Sequence, residues 1–242
     1  YDVEAGNNTY DNAVIENSKI SEKNKIQNNQ SMLDDIMNST QYPKQLKDLA
    51  LKNEEALEFV YDYPAEHVKE HTIDLTEEAS MDSVPLFVQW DKRWGYEKYS
   101  GNFFAASGCG PTTLSMVVVY LTHNREASPI AVAKYSKEAG YSVDGSGSSW
   151  TLISEGCMHY GVKAKTVALD ESRMKAELDA GHPIVINVGP GDFTDTGHFM
   201  VITGYDDEGF SINDPNSIEK SGKRWLFRNI SSQIRAVWSM YV

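Results

Sequence analysis

An α+β fold is predicted by three features of this 242-residue sequence. Segments with helical spacing come first, β-branched runs come second, and the clearest pair of runs is joined by a turn short enough to make them antiparallel. Texture and charge also change near Asp82. Residues 1–83 carry 18 Asp and Glu against 7 Lys and Arg, whereas from Val84 onward 17 acids face 15 bases, so the formal charge of −13 resides almost wholly in the first third. We therefore expect an acidic, partly helical N-terminal extension over 1–83 and one folded domain over 84–242. With 40% hydrophobic residues, the chain can fill a single core of ordinary size.

Residues 1–40 are rich in Asn, Lys, Glu and Ser with thinly spaced apolar positions. Such a composition buries too little surface to offset ordering, and flexible or loosely helical chain is expected there. After Pro43, Leu46, Leu49 and Ala50 recur at helical spacing, and Asn53 before Glu54 and Glu55 has the form of a cap and first turn of a second short helix. In the domain, a loop through Gln89, Trp90 and Trp94 leads to Cys109 and then to a helix over about 112–121, with Pro111 suited to its first turn. Ser128-Pro129 opens another helix. A third covers about 149–160 and stops at Gly161, which tolerates the left-handed cap; Asp170 caps a fourth ending near Gly181. Strands are expected over 162–168, 183–188, 198–205, 210–214 and 236–242, with 206–209 as the turn between the third and fourth.

Several function classes are excluded at this level. An acidic chain without a Lys/Arg cluster cannot neutralise phosphates, so nucleic acids and anionic membrane surfaces are not expected partners. The longest strongly apolar run, 116–121, is far short of the roughly 20 residues that span a bilayer. Tyr rather than Met at position 1 suggests a removed leader and hence an extracellular or cell-surface protein. Cys109 and Cys157 are too few for a disulfide scaffold or a cysteine zinc site, and both are expected as free thiols, Cys157 simply buried.

Chemistry concentrates at three positions. A cysteine does acyl chemistry as a thiolate, which is favoured at a helix N-terminus beside a histidine, and Cys109 precedes a helix. Gly108 and Gly110 are expected to allow close approach of a substrate carbonyl. His198 begins an apolar strand, on one face with Met200 and Ile202, while Phe210, Ile212 and Asp214 share a face of the next. A register pairing even with even positions, such as 200 opposite 214, puts His198 one diagonal step from Asp214, about 7 to 8 Å between backbones. An odd register puts them on opposite faces. No metal or cofactor is needed. The Cys157-x-His159 pair diverges by about 200° on a helix and is read as structural; His67, His71, His123 and His182 read as solvated or capping, 144–149 could line the cleft but reads first as ordinary loop, and Trp90 and Trp94 could wall a substrate groove or pack around Gln89.

The runs Val84-Pro-Leu-Phe-Val-Gln-Trp-Asp-Lys-Arg-Trp94, Ser107-Gly-Cys-Gly-Pro-Thr112, Gly197-His-Phe-Met-Val-Ile-Thr-Gly-Tyr205 and Asn213-Asp-Pro215, in that order, resemble the bacterial peptidases related to the bacteriocin-leader, or double-glycine, peptidase domain. The resemblance covers about 84–242. It implies a papain-like cysteine proteinase fold, in which a helical half bearing the nucleophile helix packs on an antiparallel sheet that carries the His and Asp. It further implies Cys109 as nucleophile, His198 as proton carrier, Asp214 as its orienter and Gln89 as an amide donor to the oxyanion. This chain contains no ATP-binding cassette, so the stand-alone branch is the better match. The expected function is hydrolysis of a peptide or peptidoglycan-type amide. The same triad serves acyl transfer in transglutaminase-like relatives, and papain-like domains also act as idle peptide-binding modules, although those commonly lose the cysteine. The extension is expected to be a spacer rather than an inhibitory segment, since its first 40 residues lack a strong apolar face. The sequence carries no sign of an oligomeric state.

Overall fold

The computed structural model describes the backbone of residues 8–242, and side chains from residue 18. Contacts divide the chain into a unit ending at Ala65 and a unit from Glu66 to Val242. In the first, α1 (Asn8–Asn38) is one continuous helix where flexible or loosely helical chain was expected over 1–40; the first seven residues of that stretch lie outside the described ones. Its described side chains are exposed up to Asn28; Asn29, Met32 and Leu33 are half-buried, and Ile36 is buried. It packs on α2 (Lys44–Lys52), which buries Leu46, Leu49 and Ala50, and on α3 (Leu57–Tyr61). Asn53 is the expected cap, its side chain accepting from the Glu55 N–H at 3.0 Å.

The charge pattern sets a boundary near Asp82, whereas the contacts set it at Ala65. The reason is that charge marks only the surface of 66–83. Leu75 and Ala79 enter the same core cluster as Phe87, Trp94 and Leu114.

The centre of the larger unit is α4 (Cys109–Thr122), which starts at Cys109 and is buried all round from Gly110 to Val119, as a helix without a polar face must be. It packs on α5 (Pro129–Glu138), capped by Ser128, and on a six-stranded antiparallel sheet. The strands are β1 (Lys163–Thr166), β2 (Ile184–Val188), β3 (His198–Asp206), β4 (Gly209–Asn213), β5 (Arg224–Trp225) and β6 (Ile234–Tyr241), in the order β1-β6-β2-β3-β4-β5. One face, with Val185, Phe199, Val201 and Trp238, joins the α4 core. The other, with Ile184, Ile186, Met200 and Ile202, packs on Met174 of α6 (Glu171–Asp179), which Asp170 caps.

Two departures from the expected elements bear on the site. The helix expected over 149–160 is instead a turn of α-helix, Thr151–Ser154, and a 3-10 segment, Gly156–Tyr160, separated where Glu155 leaves helical dihedrals. Two short ribbons, Lys98–Tyr99 with Asn102–Phe103 and Ser142–Val143 with Gly147–Ser148, were not anticipated, nor was the edge strand β5. The sheet also carries two irregularities of register. Between β3 and β4, Gly204 faces Ser211 but Ile202 faces Ile212, leaving Thr203 as the extra residue; between β6 and β2, Ala236 faces Asn187 but Ile234 faces Val188, leaving Arg235.

Candidate active site

Cys109 is the first residue of α4, half-buried, where unpaired N–H groups and the helix dipole favour negative charge. The His198 side chain and the main-chain N–H groups of Phe199 and Gly110 act on its sulfur in the direction that favours the thiolate. His198 opens β3 and is 6% exposed. Its Nε2 lies 2.7 Å from Asp214 Oδ1, leaving Nδ1 as the ring nitrogen for the sulfur. Asp214, 1% exposed, follows the last residue of β4. Its Oδ1 also accepts from the Asn216 N–H at 2.8 Å, and its own N–H donates to Ser221 Oγ at 2.9 Å. Three of the four expected residues are thus brought into one chain of contacts.

Burial and partners pull the two ionisable groups in opposite directions. Burial pushes the Cys109 thiol up, but the hydrogen bond and charge of His198 and the two N–H groups outweigh it, and the thiol ends below its ordinary value. Burial alone pushes the His198 imidazolium down; the Asp214 carboxylate and the Cys109 sulfur reverse this and raise it well above its ordinary value. Both shifts act in the direction of a thiolate beside an imidazolium. At Cys157 burial dominates and pushes the thiol up to about 11, so this second cysteine is an inert packed residue. His159 stacks on Tyr135 with ring centroids 4.0 Å apart, consistent with a structural Cys-x-His pair.

Gln89 is placed differently. It is 3% exposed and does not line the cleft described below. Its main-chain N–H donates to the Pro215 carbonyl and its Nε2 to the Ala105 carbonyl, both at 2.7 Å, while Oε1 has no partner among the described residues. Asn213 Nδ2 donates to the Val84 and Pro85 carbonyls at 3.1 Å, and Trp90 Nε1 donates to the Asn216 carbonyl at 3.2 Å. The 84–90 segment is therefore tied to the turn that carries Asp214. Trp94 is core, its Nε1 donating to the Val88 carbonyl, and neither tryptophan lines the cleft.

Cys109 opens into a cleft of about 690 Å³. One part of its lining comes from the two ribbons, including Ser100, Gly101, Gly147 and Ser148, and another from the sheet, including Asn187 and Phe199. Ser100 (φ 54°) and Gly101 (φ 78°) are both left-handed, the requirement of a type I′ turn. Ser100 is locked there: its Oγ accepts from the Gly147 N–H at 2.9 Å and donates to the Val143 carbonyl, and its carbonyl accepts from the Gly145 N–H at 2.9 Å. Residues 145–148 therefore line the cleft. Their glycine and serine pairs are turn signals that could have shown the ribbon. Asn187 was legible too, as one amide inside the run Ile184–Val188.

The glycines beside Cys109 are required by packing. A Cβ on Gly108 meets the Phe104 ring at 2.6 Å, and one on Gly110 meets Ser148 Oγ at 2.5 Å and its Cβ at 2.7 Å. Gly110→Ala is expected to cost about 1–3 kcal/mol, read as a lowered midpoint in urea unfolding, because the ribbon must back away from α4. Among the described residues no group of three or more His, Cys, Asp and Glu side chains could hold a metal ion, and no helix is long and apolar enough to cross a membrane. His182 is paired with Glu177, and His123 ends α4 with its Nδ1 at the Ala79 carbonyl.

Residues 81–242 match the model of the Peptidase_C39 like family. Among solved structures, the peptidase domain of Streptococcus ComA, a bifunctional ABC transporter of a quorum-sensing pathway, is 19% identical with a TM-score of 0.44, over 56% of this chain and 90% of that one. A Bacillus anthracis protein described as C39-like is 18% identical with a TM-score of 0.40, over 66% and 95%. No curated protein matches the chain.

Proposed function

This chain belongs to the Peptidase_C39 like family, and from that premise we propose that it is a thiol-dependent hydrolase, cleaving a peptide or amide bond through an acyl-enzyme on Cys109. The observation that carries this reading is the buried chain from Asp214 through His198 to a thiol at a helix start, opening into the cleft. The Cys109 thiolate attacks the carbonyl carbon. The Cys109 N–H and the Gln89 amide stabilise the oxyanion, and His198 gives its proton to the departing amine as the C–N bond breaks. A water then loses a proton to His198 and attacks the thioester, returning the thiolate–imidazolium pair and a carboxylic acid. Asp214 keeps Nε2 occupied, so that Nδ1 is the nitrogen facing the reaction.

Support for Gln89 lies in its second Nε2 proton, since only one is taken by the Ala105 carbonyl. Alkylation by iodoacetamide develops no oxyanion, whereas acylation does. Gln89→Ala is therefore expected to slow acylation by a nitrophenyl ester about 100-fold more than it slows alkylation; equal slowing marks Gln89 as structural.

The reading is tested by incubating the protein and its Cys109→Ala variant with casein-derived peptides and sequencing new termini by mass spectrometry. Acid-quenched samples should show a thioester adduct on Cys109, and glycine methyl ester added as acceptor separates hydrolysis from transfer. No adduct and no new terminus, with a thiol unreactive at pH 6, sinks the hydrolase.

A further inference from the structure

Among the described residues lining the cleft, Arg235 is the only Asp, Glu, Lys or Arg, and apart from the Cys109 nucleophile it is the one charged side chain there, a cation in a chain of net charge −13. We infer that the cleft selects substrates bearing a carboxylate close to the scissile bond, and that Arg235 is the residue that reads it. This rests on Cys109 being the nucleophile of the same cleft.

Arg235 reaches the cleft through a fault in the sheet. On the regular part of β6, Val237 packs into the far core while Trp238 and Met240 join the α4 core, and strict alternation would send residue 235 to the far side with Val237. The shift of register between Ile234 and Ala236 prevents this: Ile234 fills the far core, Ala236 stays on the α4 side, and the unpaired Arg235 turns into the cleft. Re-aiming one side chain beside a site is a known use of such a bulge.

Its surroundings are arranged to keep it there unpaired. A Cβ on Gly189 would lie 2.8 Å from Arg235 Nε and 3.1 Å from a terminal guanidinium nitrogen, so the guanidinium occupies the space that only glycine leaves over that backbone. Its one protein acceptor is the neutral Ser232 carbonyl at 3.4 Å, and no carboxylate of the described residues pairs with it. Asp192 of the adjoining loop is engaged by its neighbour instead: Gln233 Nε2 donates to Asp192 Oδ2 at 2.6 Å, and Gln233 Oε1 accepts from the Asp192 N–H at 2.8 Å. A planar fork of donors with no carboxylate partner, held over a substrate cleft, fits a carboxylate bidentately.

The carboxylate can belong to a chain terminus or to an acidic side chain, and three alkylating probes distinguish them: iodoacetyl-Gly-Gln amide, iodoacetyl-Gly-Glu amide and iodoacetyl-Gly-Gln free acid. Each forms a carbon–sulfur bond at Cys109 with loss of iodide, followed by intact-mass spectrometry at pH 7 and low salt. In the wild type, one of the two acidic probes is expected to react about tenfold faster than the neutral amide, and which one identifies the source. This ratio falls to within about twofold in Arg235→Gln and is partly kept in Arg235→Lys. Equal rates for all three probes in the wild type, or a ratio unchanged in Arg235→Gln, overturn the role of Arg235 while leaving the nucleophile in place if plain iodoacetamide still labels Cys109 at pH 6. Failure of iodoacetamide itself overturns both.

Discussion

At pH 6, Cys109 of the wild-type protein is expected to react with iodoacetamide at least about tenfold faster than Cys109 of His198→Ala. Burial pushes this thiol up, as it does at Cys157, which reaches about 11. Two main-chain groups lower each thiol, so what separates the two cysteines is the imidazole. Removing the imidazole leaves burial opposed only by the Phe199 and Gly110 N–H groups, so the thiol rises. Below its pKa the thiolate fraction then falls tenfold per pH unit, partly offset because a more basic thiolate is the better nucleophile. Cys157 serves as the internal control, unlabelled until the protein is unfolded. Turnover should in turn show an acid limb where Cys109 takes up its proton, below its ordinary range, and an alkaline limb where His198 loses its own, above the ordinary range. The apparent values belong to the pair rather than to either residue. Superimposable alkylation profiles for wild type and variant would falsify the activated thiol.

Asp214→Ala is expected to destabilise the protein by about 3–5 kcal/mol at pH 6, measured by urea unfolding. Both partners of the His198–Asp214 contact are nearly inaccessible, 7% and 1% exposed in their side chains, so removing the carboxylate leaves a buried imidazolium with the Cys109 sulfur as its remaining charge partner. It also removes the acceptor of the Asn216 N–H, in the turn that holds the 84–90 segment. The pH dependence follows from the raised His198 value. A group whose folded pKa is raised contributes stability that is complete below its unfolded pKa, about 6.5 for histidine, and that declines as pH rises through the folded value. The gap between wild type and Asp214→Ala is therefore widest near pH 6 and narrows towards alkaline pH. The double variant His198→Ala/Asp214→Ala should recover part of the loss, because no buried cation remains to be compensated. If the double variant is less stable by the sum of the two single losses, the pair is not an electrostatic unit.

Much of this was readable along the chain because it depends on short-range rules. Asn53, Ser128 and Asp170 cap helices because a short acceptor side chain precedes helical spacing, and each accepts from a main-chain N–H as expected. Cys109 stands at a helix start, and His198 and Asp214 fall on consecutive strands, because residue type and period determine that much. Less readable were contacts made by backbone shape. The ribbon turns at Ser100 and Gly101 become cleft lining only when docked on Gly145 and Gly147. The space beside Gly110 proved to belong to Ser148.

By itself the sequence determined the α+β order, the nucleophile helix and the pairing of a histidine strand with an aspartate strand through a tight turn. It left open whether those two residues share a face, and local rules alone point to the wrong answer. The two-residue turn pairs Asp206 with Gly209, and an unbroken register from there sets Asp214 opposite Val201, on the face away from His198. The extra residue at Thr203 shifts the pairing to Ile202 with Ile212 and Val201 with Asn213, which carries Asp214 to the side of Met200 and His198. Arg235 owes its place in the cleft to the same device on β6. Bulges of this kind are chosen by packing on both faces at once: Val201 must enter the α4 core while Ile202 and Ile212 enter the other. That choice is made by residues distant in sequence, and only the tertiary structure decides it.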